Sequence, residues 1–580
     1  MTMTAPTSMP WTPEASAALD AMLAAQEARR TIVVRDELNA VAAEAEAALL
    51  ADPEAGIFVR ARRLVRVVRD EGAPRSGLHR PAGSPVIEGM SLDALRGRLD
   101  RAARWVRNAG KGFRAILPPE WAARAVQAAD EWRFPVLAGV IEAPTLRPDG
   151  GVLDRPGYDA ATGLLFMPTG DFPPVPVRPS AAQVQAAVDL LRGPFADFPF
   201  IAESDRAAAV AAVLSLVARH AIEGCVPAFA WRATAPGTGK GLGCDVVARI
   251  GTGRSAARMV LPSEDDELRK ALLAVAFEGT PVVLLDNVDR ALGSVALAAA
   301  LTSETVTGRL LGSTAMLCAP LRAMWMVTGN GLTFKGDLGR RIVPVDLDAH
   351  VEHPEDRSGF RHPDLLGWVR EHRGELVAGA LTILRGYHIA GRPAHGAPRM
   401  GSFEAWDDLV RGATVWAGFD DPVAGRERIR REDDGDLLSL RAALSAWREA
   451  FGKTSTTAAE AVAVALRRAG RDDDAVRDPS LRDALLALTP NKDKLDARPL
   501  GYALRRVKGR ICGGAYFKTA GEEHSTTRWT VADAVQGEMG EMGDMFPPNA
   551  GANKTERKEE QPETSPPSAA SPPPSEGGDA

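Results

Sequence analysis

With 580 residues, 45% of them apolar and 25% charged, the chain has the make-up of an ordinary globular protein with room for three or four domains. A net charge of −6 excludes a surface coated in basic residues, so any contact with nucleic acid must be local. The opening MTMTAPTSMPWTPEA lacks a basic stretch followed by an apolar one, and no apolar run reaches spanning length, which predicts a cytoplasmic protein without a membrane partner. Cys225, Cys244, Cys318 and Cys512 lie far apart without C-x-x-C spacing and are expected to be buried small residues, not a zinc ribbon or a disulfide framework. His350, His353 and His362 share a loop that carries no zinc signature.

Residues 1–55 form an N-terminal segment that is Ala- and Glu-rich from 14 to 50, with leucines at helical spacing, and predict one or two amphipathic helices. Residues 56–178 predict an α+β region. Its run from Ile57 to Arg69 reads as one or two strands with arginines alternating on a face, either a solvated sheet or a nucleic-acid surface, and Ser91 to Val106 reads as a helix. The stretch from Asp149 to Gly163, with Tyr158 and Asp159, is turn-rich for reasons of backbone geometry. Prolines 173, 174, 176 and 179 then mark a boundary, and residues 179–225 predict a connector of two helices between Ser180 and His220. A primase–polymerase module would need acidic pairs on strand ends for two metals. The first 180 residues offer no such Asp-x-Asp pair.

Residues 226–350 carry the chemistry. Trp231 to Leu242 reads WRATAPGTGKGL, a glycine-rich turn between a strand-like and a helix-like run. Small residues let backbone N–H groups curl round a phosphate, a lysine reaches the β- and γ-phosphates, and the following helix turns its positive end to them. The candidate binding residues are Ala235, Pro236, Gly237, Thr238, Gly239, Lys240, Gly241 and Leu242. Thr234 stands where a first glycine is usual, and Gly241 where a magnesium-binding hydroxyl is usual. Thr280 to Asn287 is an apolar strand closing on Asp286, the candidate metal-orienting acid, and Met324 to Asn330 is a second one closing on a side chain able to orient water. Between them Thr307 to Gly312 carries Arg309, either on a strand-contacting loop or on a plain hairpin turn, and Asp289 reads as a helix cap ahead of Ala291. Arg340 and Arg341 follow.

Residues 351–430 read as a helical region, densest from 359 to 420, and Arg426 to Asp436 reads as a charged linker. In residues 431–535 a helix-like Pro499–Leu504, the basic Arg505-Arg506-Val-Lys508-Gly-Arg510 and two strand-like runs, 511–517 and 528–531, predict a winged-helix-like DNA-binding domain. A solvated cationic helix end is the alternative for those four basic residues. The tail, 536–580, turns to Pro, Ser, Glu and Gly and is predicted to be disordered.

On TAPGTGKG, VVLLDN, TGN and GDLGRR the chain resembles AAA+ ATPases, and within them superfamily-3 helicases of the phage, prophage and plasmid primase-helicase type. Over roughly residues 55 to 530 the segment order, including Pro156 to Leu164, also looks like that of helicase-like proteins of integrated elements. The resemblance implies an α/β, multidomain protein with a P-loop AAA+ core, and ATP with Mg2+ as cofactors. Lys240 would hold the phosphates, Asp286 the magnesium, Asn330 would act as sensor, and Arg340 or Arg341 as the finger reaching a neighbouring subunit's ATP. It further implies a homo-oligomeric ring, such as a hexamer, acting on DNA in the replication of a mobile element, with a separate primase as a candidate partner. The family often carries two acids where this chain has Asp286-Asn287. Three functions follow: a DNA helicase or translocase, an ATP-binding and weakly hydrolysing DNA-binding switch or initiator, and an AAA+ protein remodeller.

Overall fold

The computed structural model describes residues 29–74, 77–110, 112–129, 131–289, 291–309, 316–467, 478–489, 494–523 and 526–534. The fold is mixed α/β and divides into two compact units, Met1–Asp434 and Gly435–Ala580. The helices expected before residue 29 and the tail expected from 536 lie outside the described residues, and no described helix is long and apolar enough to cross a membrane.

The first unit opens on a strand where a helix was expected. Arg30–Val34 contains the β-branched run Thr-Ile-Val-Val, pairs in parallel with Ala103–Asn108, and is followed by the helix Leu38–Ala51. That pairing also shortens the helix predicted to Val106. It stops at Ala102, because Ala103–Asn108 is drawn into the sheet with Trp105 buried. Phe58–Arg60 and Arg63–Arg69 form a hairpin whose turn residues, Ala61 and Arg62, both take positive φ. Its arginines are not all solvated: Arg60 is buried and donates to the carbonyls of Leu137, Ala138, Ala276 and Phe277 at 2.6 to 3.1 Å. Burial pushes its guanidinium down to about 10. Gly157–Asp159 and Leu164–Phe166 form a second hairpin, whose turn is held by Asp159 accepting from Thr162.

The centre of the unit is a six-stranded sheet. Its strands are β1 (Leu78–His79), β2 (Ala228–Ala233), β3 (Ala257–Met259), β4 (Val282–Leu285), β5 (Met324–Asn330) and β6 (Ile342–Leu347), in the spatial order β6-β2-β5-β4-β3-β1. All neighbours are parallel except β1, which caps the β3 edge antiparallel. Parallel strands buried on both faces read as continuous apolar runs, which is why β4 and β5 were visible in the sequence. Alternate residues divide between two cores. Phe229, Trp231, Leu284, Met326 and Val345 face one side, packed with helices α1 (Glu203–Val217) and α2 (Lys240–Thr252). Ala230, Leu285, Trp325 and Val327 face the other, against α3 (Asp265–Glu278).

One buried charge cluster ties these layers. Arg232 on β2 donates to both carboxylate oxygens of Asp346 on β6 at 2.7 and 2.9 Å. Arg428 donates to Asp346 at 2.6 Å and to Asp205 in the first turn of α1. The boundary between the two units falls inside the helix Arg426–Phe451, so the charged stretch expected to be a linker is helical.

In the second unit, Thr456–Thr457, Thr526–Asp533 and Ala515–Glu523 make a three-stranded antiparallel sheet. The helices Ala458–Ala465, Pro479–Leu488 and Ala497–Val507 pack on it through Leu485, Leu500, Leu504, Phe517 and Trp529. Of the cysteines, only Cys244 is fully buried and Cys318 is exposed, because it lies on the outward face of a hairpin strand.

Burial outweighs its partners and pushes the Asp205 carboxyl up to about 6. The folded chain therefore holds that proton between about pH 4 and 6 where the unfolded chain releases it, so this group's contribution to stability falls as pH rises through that window and is lost above it. Asp205→Asn removes the falling component. Urea unfolding from pH 4 to 7 is expected to show the variant gaining roughly 3 kcal/mol relative to wild type across the window, whatever its absolute stability.

Candidate functional site

Strand register brings the predicted nucleotide residues together. Ala233, the last residue of β2, lies opposite Asn330, the last of β5, and Gly331 N–H donates to the Ala233 carbonyl at 3.0 Å. The chain then turns through residues 234–239, with Gly237 and Gly239 at φ of +74° and +93°, and Lys240 begins α2. A side chain at Gly237 would also meet Glu355, whose carboxylate oxygen lies 2.7 Å from an ideal Cβ. The Lys240 ammonium donates to Asn330 Oδ1 at 2.6 Å, to the Ala235 carbonyl at 3.1 Å and to Thr238 Oγ1 at 3.2 Å. Partial burial pushes the ammonium down from its ordinary value. Backbone turn, lysine and helix start therefore converge on one place, an arrangement suited to phosphate.

A cavity of about 400 Å³ adjoins the loop. Gly237, Thr238, Gly239 and Leu242 form one wall, with Phe198 and His362 among the residues opposite. The His362 ring stacks on Trp368 at 4.2 Å between centroids, and its Nε2 is buried without a hydrogen-bond partner. Pro236 completes the turn, and Gly241 presents no oxygen.

Asp286 stands immediately after β4, next to Thr328 of β5 and one strand from β2. Its Oδ1 accepts from Thr328 Oγ1 at 2.8 Å, and its Oδ2 is held by Arg258 of β3. Arg258 also donates to Asp245 of α2 at 2.7 Å. Burial opposes the guanidinium's charge, but Asp245 and Asp286 outweigh it and hold Arg258 above its ordinary value. Asn287 follows at φ +52°, a region that Asn tolerates, with its N–H on Thr328 Oγ1 at 2.8 Å. The expected Mg2+ does not fit this donor set: Gly241 supplies no hydroxyl, and both oxygens of Asp286 are engaged. Among the described residues no group of three His, Cys, Asp or Glu could hold a metal ion.

The arginine pair is elsewhere. Ile342 lies opposite Ala228, at the other end of β2 from the loop, so Arg340 and Arg341 sit roughly 16 Å of strand away from their own Lys240. Arg341 is tied to the Ala298 carbonyl, Thr302 and Asp337, with 13% of its side chain exposed, whereas Arg340 pairs with Asp337 and is 55% exposed. Arg309 ends the strand Thr305–Arg309, exposed, in a hairpin with Met316–Pro320 whose tip lies outside the described residues. Asp289 does not cap a helix. The next helix is Val295–Leu301, capped by Ser294, whose Oγ accepts from Leu297 N–H at 3.1 Å.

In the second unit, Arg505 and Arg506 occupy the last turn of Ala497–Val507, and Lys508 and Arg510 follow it, all exposed. Arg506 leans toward the Leu488 carbonyl at 3.4 Å, and Arg505 lies over the Tyr502 ring, 5.4 Å from its centroid. Helical spacing sets Arg498, Tyr502 and Arg505 on one exposed face, opposite Leu500, Ala503, Leu504 and Val507. Sequence reasoning missed Arg498 and Tyr502, as it missed Asp245, Arg258 and Thr328. The i, i+4 spacing of Arg498 and Tyr502 was the available signal.

No protein-family profile matches the chain, and no curated protein matches it. Among solved structures, it is similar to the C-terminal region of NrS-1 in its A-form apo state, with 12% identity, 80% of this chain and 96% of that one covered, and a TM-score of 0.34. It is also similar to an SCCmec type IV Cch active helicase, with 11% identity, coverage of 83% and 97%, and a TM-score of 0.29.

Thr328 Oγ1 serves Asp286 and Asn287 at once, so Thr328→Val strands both. The expected cost is about 1–3 kcal/mol in urea unfolding, with secondary structure retained by circular dichroism.

Proposed function

We propose that the chain is an ATP-dependent DNA helicase or translocase of a phage or other mobile element, acting in DNA replication. The observation that carries this reading is the Lys240 ammonium, set at the start of a helix behind a glycine turn and hydrogen-bonded to Asn330 of the adjacent strand. In this reading residues 226–350 are a P-loop AAA+ core, the helices from Leu365 to Trp416 a lid, and the adjoining cavity receives the nucleoside. Asn330 is the sensor that reports the γ-phosphate to Lys240's neighbourhood. Arg340 is the finger, since its side chain stays exposed on Asp337 whereas Arg341 is packed away on Ala298, Thr302 and Asp337, and its distance from its own loop requires a neighbouring copy, hence a ring such as a hexamer. The second unit is a winged-helix-like DNA-binding domain, with Arg505, Lys508 and Arg510 on phosphates, while Arg309 contacts the translocated strand. A separate primase would supply primers.

The ion pair between Arg258 and Asp286 favours a second reading, an ATP-binding switch or initiator that hydrolyses poorly. ATP hydrolysis by the full chain, with and without single-stranded DNA, separates the two. The motor reading expects DNA-stimulated turnover that falls at least about a hundredfold in Lys240→Ala, the scale set by removing one preorganised donor. ATP binding without turnover leaves the switch, and no ATP binding removes both.

For the second unit, replacing Arg505, Lys508 and Arg510 together with Ala is expected to weaken DNA binding uniformly across sequences. The slope of log affinity against log salt should drop by about 2–3, close to 0.9 for each lost phosphate contact. An unchanged slope would mean that these side chains do not meet the backbone.

A further inference from the structure

The nucleotide reading leaves open which cation meets the phosphates, and the surroundings of Gly241 answer it. A Cβ built at Gly241 would have nothing within 4 Å, so the space usually filled by a metal-binding hydroxyl is open. Four residues on, one helical turn along the same face, stands Asp245, and across from it stands Asp286. One guanidinium holds both of these carboxylates: Arg258 Nη2 is 2.7 Å from Asp245 Oδ2, and Nη1 contacts Asp286 Oδ2. The remaining oxygens are also engaged, Asp245 Oδ1 by Ala256 N–H at 3.3 Å and Asp286 Oδ1 by Thr328. Magnesium needs near-octahedral oxygen ligands and binds through carboxylates with free lone pairs. Here the charge of both carboxylates is already compensated by one guanidinium, which removes most of their attraction for a divalent ion.

Arg258 is well placed to serve instead. Its side chain remains 39% exposed, and a guanidinium has five N–H donors, more than its two carboxylate contacts consume. It is linked to the loop through a short chain of contacts: Asp286 bonds Thr328, and two residues along β5 Asn330 bonds Lys240. Planar, permanently charged and matched to phosphate geometry, arginine can take two oxygens at once.

We propose that Arg258 is the second cation of the phosphate site, acting with Lys240, so that this chain binds nucleoside triphosphate without a divalent metal. The proposal rests on the nucleotide reading above, and the two fail differently. The test is equilibrium displacement of a fluorescent ATP analogue by ATP, using the full chain in excess EDTA and in excess MgCl2. Wild-type affinities are expected to agree within about threefold in the two conditions, and Arg258→Gln to lose at least about tenfold in EDTA, with Arg258→Lys recovering part of it. Asp245→Asn, which releases the guanidinium from one carboxylate, should bind in EDTA as tightly as wild type or more tightly.

Loss of wild-type binding by more than about tenfold in EDTA overturns the proposal, because a metal is then required. So does metal-free binding by Arg258→Gln at wild-type affinity, or weakened metal-free binding by Asp245→Asn. Absence of binding in both conditions would instead remove the nucleotide site itself. Should Arg258→Gln not fold, the wild-type comparison and Asp245→Asn decide the matter alone.

Discussion

The position of the glycine-rich loop depends on a largely buried knot of four charges. Arg232, Asp346, Arg428 and Asp205 bring together β2, β6, the start of α1 and the first turn of the helix Arg426–Phe451. Removing one member of such a set leaves an uncompensated buried charge, typically a cost of about 3–5 kcal/mol, so the four behave as a single constraint. Asp205 has further duties, accepting from Ala202 N–H and from Asp346 N–H at 3.0 Å. Because Arg232 lies one residue before the end of β2, this knot fixes the strand from which the glycine-rich loop departs.

The order of strands then decides what the loop can meet. β5 lies between β2 and β4, so Asn330 is beside Lys240 while Asp286 stands one strand further away. That extra strand makes room for the Thr328 hydroxyl to mediate between the two halves of the site. It also leaves Asp286 beside β3, where Arg258 reaches it.

Much of this was legible in the sequence, for identifiable reasons. β2, β4 and β5 are buried on both faces and read as largely apolar runs, and glycines announce the loop because the backbone needs positive φ there. What escaped were features that only pairing creates. Arg30–Val34 and Ala103–Asn108 sit in Ala-rich, helix-favouring surroundings, and each becomes a strand because the other is available. β3 is three residues long, too short for a periodic signal, and Arg258 lies in its middle. Arg60 looked like one of a row of solvated arginines, since nothing local reveals the carbonyls 77 to 217 residues away that enclose it.

Those carbonyls carry a practical meaning for anyone dissecting the chain. Ala276 and Phe277 end α3, where a helix leaves its last oxygens unpaired, and Arg60 serves both. Meanwhile Leu78–His79 covers the β3 rim of the central sheet. A fragment cut at the proline-rich boundary near residue 179 would keep the loop with Lys240, Asp286 and Asn330, yet lose the guanidinium and bare the strand edge. Such an edge is a template for pairing with other chains. The N-terminal region is therefore a solubility jacket for the sheet, and a fragment meant to keep that sheet intact has to retain the arginine hairpin and Leu78–His79.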